Sequence, residues 1–308
     1  MTKFKKMTKV FGLVLLFIFV IFVVFDIGMV FSGQIILPQV LSLGAVSIHY
    51  YGVILGIAVL VGYYLAKKNF SSCGLTTEHA EELFFWIMLG GFLGARLYHV
   101  FSSVSYYYLH PVDIIKVWQG GLSIYGAVLG GVMALWVYVK GALRLKPKST
   151  FDILNWLTPS LILGQIIGRF GNFFNYEAYG YPTNLPWKMF VPWEFRPAEY
   201  QQHFFFHPWF LYEQIGLLVI LFIISRIKKH QKNVELVPKL HLFIWYVLLY
   251  NILRFGLEFL RIDSTYMLGF RQNSLVSIGL VCLSMVYLIR TYIFGSFSSP
   301  LRGEVRRG

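Results

Sequence analysis

Two stretches of this chain place arginines at helical spacing among apolar residues. Arg169 and Asn172 lie three apart in Gly168-Arg169-Phe170-Gly171-Asn172-Phe173-Phe174-Asn175-Tyr176-Glu177-Ala178-Tyr179-Gly180, and so share a helix face. In the second stretch Tyr250, Arg254, Glu258 and Arg261 recur at four, four and three, which predicts one polar stripe along a helix. An ionisable group in an apolar span costs roughly a few kcal/mol unless it is partnered, so each of these residues is a functional candidate. The chemistry they suit is recognition of an anion, because the planar fork of a guanidinium matches a phosphate better than an ammonium does. The plainer reading of Arg254 with Glu258 is an ion pair that only holds the helix in place.

Two further clusters carry polar or flexible groups. Gly120-Gly121-Leu122-Ser123-Ile124-Tyr125-Gly126-Ala127-Val128-Leu129-Gly130-Gly131 is a glycine-rich helix end with one tyrosine; helix packing alone is a sufficient reason for such glycines. His49-Tyr50-Tyr51-Gly52 and His207-Pro208-Trp209-Phe210-Leu211-Tyr212-Glu213 each open an apolar run, where a histidine is commonly only interfacial. Ser123 has no histidine and acidic partner at a recognisable spacing, so a serine triad is unsupported. No paired histidines at helical spacing mark a metal site, and Cys73 and Cys282 are too few for a zinc centre or a disulfide framework.

These groups need elements to hold them, and composition says which. Of 308 residues, 57% are hydrophobic and 13% charged, about half the roughly 25% charged content of a soluble domain. A soluble enzyme is excluded and lipid is the expected solvent. Eight apolar stretches of spanning length fall at about 10–32, 48–66, 83–101, 120–139, 151–174, 209–225, 240–260 and 275–294. The fold class expected is an all-α integral membrane protein, a polytopic helical bundle of about eight spans. Residues 175–208 hold five of the eleven prolines and many aromatics, which predicts a small extracytoplasmic cap at the headgroup layer.

The net charge of +13 is segregated. With a cytoplasmic amino terminus, the inner segments hold 18 of the 27 lysines and arginines, and the outer segments hold only Lys116, Lys188, Arg196, Arg261 and Arg271. This bias predicts both termini inside and all four clusters toward the outer face. It also disposes of a nucleic-acid partner, since the basic loops sit where membrane topology needs them and none forms a recognition motif. Residues 1–32 read as an uncleaved anchor: the apolar run exceeds the 7 to 15 residues or so of a signal peptide, and no small-residue cleavage site follows. Residues 33–294 make the core and 295–308 a basic cytoplasmic tail.

Taken together the clusters resemble the bacterial prolipoprotein diacylglyceryl transferase family. Gly168 to Gly180 is similar to that family's signature Gly-Arg-x-Gly-Asn-Phe-x-Asn-x-Glu-x-x-Gly at every fixed position. His49-Tyr50-Tyr51-Gly52, Gly94-Ala95-Arg96, Gly120 to Gly131, His207-Pro208 with Leu211-Tyr212-Glu213, and Arg254 to Ser264 follow in the family's order. The resemblance implies a seven-span core in the cytoplasmic (inner) membrane with its active site toward the outer face. It also implies an enzyme that moves the diacylglyceryl group of phosphatidylglycerol onto the lipobox cysteine thiol of a prolipoprotein signal peptide, releasing glycerol 1-phosphate, with no cofactor. By that resemblance Arg169 and Arg254 serve the leaving phosphate. Asn172, Asn175 and Glu177 orient the headgroup or hold the arginines, Glu258 positions Arg254 and Arg261, and Tyr51, Gly180 and His207 complete the substrate site. Many members carry a histidine, the usual general base, where this chain has Tyr125. A phenol of pKa near 10 is a poor base for a thiol of pKa about 8.5, which leaves Tyr125 as base or as headgroup binder. The rival class is a non-catalytic transporter or binder of an anionic lipid or solute, for which internal repeats and broken mid-membrane helices are expected.

Overall fold

The computed structural model describes residues 28–44, 46–70, 76–141, 150–233, 241–267 and 269–297. The first apolar stretch lies outside them up to residue 27, as does the tail beyond 297. Seven long helices occur in the described chain: α1 (Tyr50–Phe70), α2 (Thr77–Ser102), α4 (Ile124–Gly141), α5 (Thr150–Phe174), α6 (Trp209–Asn233), α7 (Leu242–Glu258) and α8 (Gln272–Phe297). A six-residue helix, α3 (Val104–Leu109), follows α2.

Among the described residues, five helices are long and apolar enough to cross a membrane: α1, α2, α4, α6 and α8. The expected fifth and seventh spans form helices too but fall outside this set. Helix α5 carries Asp152, Asn155, Gln165, Arg169 and Asn172, and α7 has only 17 residues. The protein is a multi-pass helical membrane protein, with many large apolar side chains exposed, such as Leu60, Phe101 and Met133. It is not purely helical. Among the described residues three antiparallel pairs of strands occur, β1 (Val40–Leu43) with β2 (Val46–His49), β3 (Met189–Phe190) with β4 (Phe205–Phe206), and β5 (Tyr266–Met267) with β6 (Phe270–Arg271).

The chain packs as two compact units. One comprises Val59–Gly164 and Ile223–Tyr246. Its core gathers Leu83, Leu135, Tyr138, Ile153 and Leu154, and its tightest seam joins α2 to α4. Gly90 and Gly94 face Gly130 and Gly126 so closely that backbone meets backbone: a Cβ on Gly130 would strike the Gly90 carbonyl, and one on Gly126 the Gly94 carbonyl. Small residues four apart on each helix are what permit this approach. The packing reading therefore accounts for the Gly126 and Gly130 part of the glycine-rich cluster. Gly120 and Gly121 do something else. Both have positive φ, 93° and 76°, and their carbonyls accept hydrogen bonds from buried Arg96 at 2.7 and 2.9 Å. Arg96 also bonds the carbonyls of Ile114 and Asp113, so one guanidinium ties the loop between α3 and α4 to the end of α2.

Alanine in place of helical glycine ordinarily favours a helix by about 1 kcal/mol, whereas overpacking costs about 1 to 3 kcal/mol. Because the clash at Gly130 is with rigid backbone, Gly130→Ala is expected to lower the thermal midpoint of the detergent-solubilised protein. Gly56→Ala, where nothing lies within 4 Å of the added carbon, is expected to hold or raise it. Equal midpoints for the two variants would remove the steric argument.

The other unit comprises Met1–Ala58, Gln165–Phe222 and Val247–Gly308. Its core is Val30, Phe173, Ala178, Met189, Val191, Phe206, Trp209 and Phe210, which binds the 175–208 segment to the ends of α5 and α6. Within that segment, buried Arg196 donates to the carbonyls of Val191 (2.8 Å) and Gln201 (3.0 Å), and its guanidinium lies 4.7 Å from the Phe204 ring. Proline fixes the turns, and arginine supplies the bonds that strands too short to pair further do not.

Candidate active site

All residues of this site belong to the second unit, and they reach it from three helix ends. Helix α5 delivers Arg169 and Asn172 on one face, then stops. Tyr176 and Ala178 have φ of 52° and 54°, the left-handed region unusual for side chains with a Cβ. Each such residue costs roughly 1 to 3 kcal/mol and persists only where its surroundings hold it. They do: the buried Tyr176 hydroxyl accepts from the Leu37 N–H at 2.7 Å, and the Phe210 N–H donates to the Ala178 carbonyl at 2.9 Å. Between them the turn presents exposed Glu177, whose carboxylate accepts from Asn175 at 3.3 Å and lies 3.5 Å from the Asn172 amide. Two of the signature glycines, Gly171 and Gly180, have steric reasons here. A Cβ on Gly171 would sit 2.6 Å from the Tyr51 ring, and one on Gly180 would meet the Leu260 carbonyl.

Helix α7 delivers Tyr250, Arg254 and Glu258, and ends there. The expected stripe is corrected at its last member: Arg261 does not lie on the helix. The Leu260 and Arg261 N–H groups close a tight turn onto the Leu257 and Glu258 carbonyls. The Trp209 indole N–H also donates to the Leu257 carbonyl at 2.7 Å, and Arg271 donates to that of Glu258. With its final carbonyls so satisfied the helix need not continue, and Arg261 instead pairs with Gly180 in an isolated β-bridge.

Helix α6 delivers Trp209 and Glu213 from its first turns. Glu213 is fully buried; its Oε1 accepts from Arg169 Nη2 at 2.6 Å and from the Tyr250 hydroxyl at 2.9 Å. Glu258, also fully buried, pairs with Arg254 at 2.9 Å and accepts from Ser264 (2.9 Å) and Asn273 (3.1 Å). The expected single partner for two arginines is thus divided: Glu258 holds Arg254, and Arg261 makes a bidentate pair with Asp263, its Nη2 2.6 Å from Oδ2. Burial pushes the Asp263 carboxyl up, but the Arg261 hydrogen bonds and charge outweigh it and hold the group below the usual carboxylate range. It is charged at neutral pH.

Three cations converge on one aromatic. The guanidinium carbons of Arg254, Arg261 and Arg169 lie 4.6, 5.4 and 5.9 Å from the centre of the Trp209 ring, within the range of cation–π attraction. Each arginine has one carboxylate on one edge, which leaves its other donors directed elsewhere. Arg254 Nη1 is buried and has no hydrogen bond among the described residues. A group with this orphaned donor, beside two more guanidiniums, suits an oxyanion.

The remaining expected residues fall as follows. His207 lies in the cap, its Nδ1 2.9 Å from the Tyr212 hydroxyl, which also accepts from the Trp187 indole at 2.8 Å. Burial pushes the His207 imidazole down, so it is a neutral polar group rather than a fourth cation. Its carbonyl accepts the Gly180 N–H at 2.9 Å, linking signature and cap. Tyr51 packs on Gly171. Tyr125 belongs to the other unit, where its ring lies 6.1 Å from that of Tyr98. Among the described residues no cluster of metal-binding side chains occurs. Sequence reasoning passed over Trp209, Glu213 and Asp263 as site residues. Glu213 had a usable signal, a carboxylate inside an apolar helix; a tryptophan there had none.

Comparison with known proteins finds relatives over most of the chain. The family model described as prolipoprotein diacylglyceryl transferase matches residues 38–290. A phosphatidylglycerol–prolipoprotein diacylglyceryl transferase of Thermotoga maritima is 39% identical over 269 residues, covering 86% of this chain and 89% of that one. Proteins of the same name from Fervidobacterium nodosum and Trichormus variabilis are 36% and 37% identical, over 86% and 85% of this chain and 88% and 94% of their own.

Proposed function

We infer the function from one premise: the chain belongs to the prolipoprotein diacylglyceryl transferase family. It is a membrane transferase that moves a diacylglyceryl group from phosphatidylglycerol to a prolipoprotein. The acceptor is the thiol of the lipobox cysteine in the signal peptide. The enzyme works in the bacterial cytoplasmic (inner) membrane with both termini cytoplasmic and its site toward the outer face, a reading supported by the 18-to-5 bias of basic residues. Residues 33–294 form the catalytic core and residues 1–32 an anchor dispensable for chemistry.

The reaction exchanges one bond for another. The thiol sulfur attacks the glycerol carbon bonded to the phosphate oxygen, a C–S bond forms, and the C–O bond breaks. Its electron pair goes to the phosphate, which leaves as glycerol 1-phosphate. The thiol proton passes to a base or to water. Negative charge grows on the leaving oxygen in a region of low dielectric, so preorganised donors there lower the barrier. The observation that carries this reading is the fan of three guanidiniums around Trp209, with Arg254 Nη1 left without a partner.

Arg254 and Arg169 bind the phosphate and stabilise its departure, while Glu258 and Glu213 hold them. Arg261, fixed by Asp263, adds to the positive field. Asn172 and Asn175 hold Glu177 toward the glycerol headgroup, with Tyr51 beside it. Gly180 lets the cap approach, and His207 is a neutral polar contact for substrate.

Expression in a bacterium depleted of its own transferase tests the function. Prolipoprotein is expected to gain the mass of one diacylglyceryl group; unchanged precursor would refute it. A separate expectation concerns Tyr125. As a binding residue its loss costs about one hydrogen bond, 1 to 2 kcal/mol or roughly tenfold in rate, whereas loss of a general base costs about 100-fold to 10,000-fold. Tyr125→Phe is expected near tenfold, with the deficit shrinking from pH 6 toward 9.5 as the thiol ionises unaided. A deficit of the larger size at neutral pH would make Tyr125 the base.

A further inference from the structure

We propose that Trp209 is the positioning residue of this site, the surface on which its arginines are set. This rests on the reading of Arg254 as a phosphate ligand and deepens it. The residue is 1% exposed, so solvent or lipid contact does not explain it. Apolar burial alone does not explain it either, because three guanidiniums lie within 6 Å of its ring centre.

Three like charges gathered this closely repel, and each carboxylate partner can fix only one of them. An indole face is negative and offers attraction to all three at once. The contact is also anchored to the helix that carries the nearest arginine: the indole N–H donates to the Leu257 carbonyl, one residue before Glu258, the partner of Arg254. Trp209 therefore closes the end of α7 and fixes the plane from which Arg254 projects. Glu213, four residues along α6, holds Arg169. One turn of one helix thus supplies both the aromatic surface and a counter-charge. The face pulls on guanidinium planes and leaves their N–H edges for an anion, whereas a fourth carboxylate would compete with the phosphate for those edges.

A purely structural tryptophan and a cation-holding one differ in what they ask of the ring. Packing and the indole hydrogen bond depend on shape and on the N–H; attraction for cations depends on the electron density of the face. Site-specific incorporation at position 209 of tryptophan carrying one, two, three and four fluorines drains that density with little change of volume. The purified full chain is assayed with phosphatidylglycerol in detergent micelles and a lipobox peptide, with thermal midpoints in parallel. Since three cation–π contacts share the ring and each weakens as the face loses electron density, the expected result is a stepwise fall in turnover. It should reach about 10-fold to 100-fold at the fourth fluorine, follow the loss of face attraction linearly on a logarithmic scale, and run independently of the midpoint.

Two further variants separate this proposal from the reading beneath it. Trp209→Phe keeps a weaker face and loses the N–H; it is expected to retain more activity than Trp209→Leu after both are matched for folded protein. Arg254→Ala is measured in the same assay. A flat fluorine series alongside a disabled Arg254→Ala overturns the role of Trp209 and leaves the arginine site standing. A flat series alongside a fully active Arg254→Ala overturns both.

Discussion

Purified Arg254→Ala and Arg169→Ala enzymes are expected to turn over about 30-fold to 1000-fold more slowly than the parent. Each substitution removes a charge-assisted contact, roughly 2 to 4 kcal/mol, from the place where the leaving phosphate gathers charge. The two should not be equal. Arg254 is nearer the Trp209 ring and carries the unpartnered Nη1, so its loss should fall toward the upper end. Lysine should rescue neither well, because a point charge replaces the fork that fits carboxylate on one edge and phosphate on the other. Turnover within threefold or so of the parent, from folded protein, would contradict the assignment.

The second large effect is on stability. Glu258 is fully buried, pairs with Arg254 and accepts from Ser264 and Asn273. Removing one partner of a buried pair leaves the other charge uncompensated, at about 3 to 5 kcal/mol. Glu258→Ala should therefore lower the thermal midpoint markedly and abolish activity with it. Glu258→Gln keeps the shape and an acceptor but not the charge, and should recover part of the midpoint and little of the activity, since Arg254 then has no fixed direction. The double variant Glu258→Gln with Arg254→Met, which removes the stranded charge, should be more stable than Glu258→Ala alone. Stability of Glu258→Ala equal to that of the parent would show that the pair is not the buried unit described.

How much of this was legible in the sequence depends on the kind of signal. Charges in apolar surroundings announce themselves, which is why Arg169, Arg254 and Glu258 could be picked out and why the structure finds them together. Periodicity misled at Arg261, because helical spacing continued past a helix that Trp209, Arg271 and a tight turn bring to an end at Glu258. The division of carboxylates among arginines was not legible at all: Glu213 and Arg169 are 44 residues apart, and Asp263 follows Arg261 by only two. Trp209 looked like any aromatic at a membrane surface, and only three-dimensional convergence distinguishes it. The small strand pairs were missed for another reason. Two-residue strands such as Met189–Phe190 and Phe205–Phe206 are too short to show alternation. The glycine-rich segment was legible in type but divided in role: Gly126 and Gly130 permit helix contact, while Gly120 and Gly121 supply positive φ and carbonyls for Arg96.

The central claim is that these arginines act on the departing phosphate, and a change of leaving group tests it most directly. A phosphatidylglycerol analogue whose departing head alcohol carries electron-withdrawing fluorines releases a less basic phosphate ester, which needs less stabilisation as its bond to carbon breaks. Parent and Arg254→Ala enzymes are compared on the natural lipid and on this analogue at saturating peptide. If Arg254 stabilises the leaving group, the deficit of Arg254→Ala, about 30-fold to 1000-fold on the natural lipid, is smaller on the analogue. A deficit of the same size on both lipids would mean that Arg254 contributes to binding or folding alone, and would contradict the account.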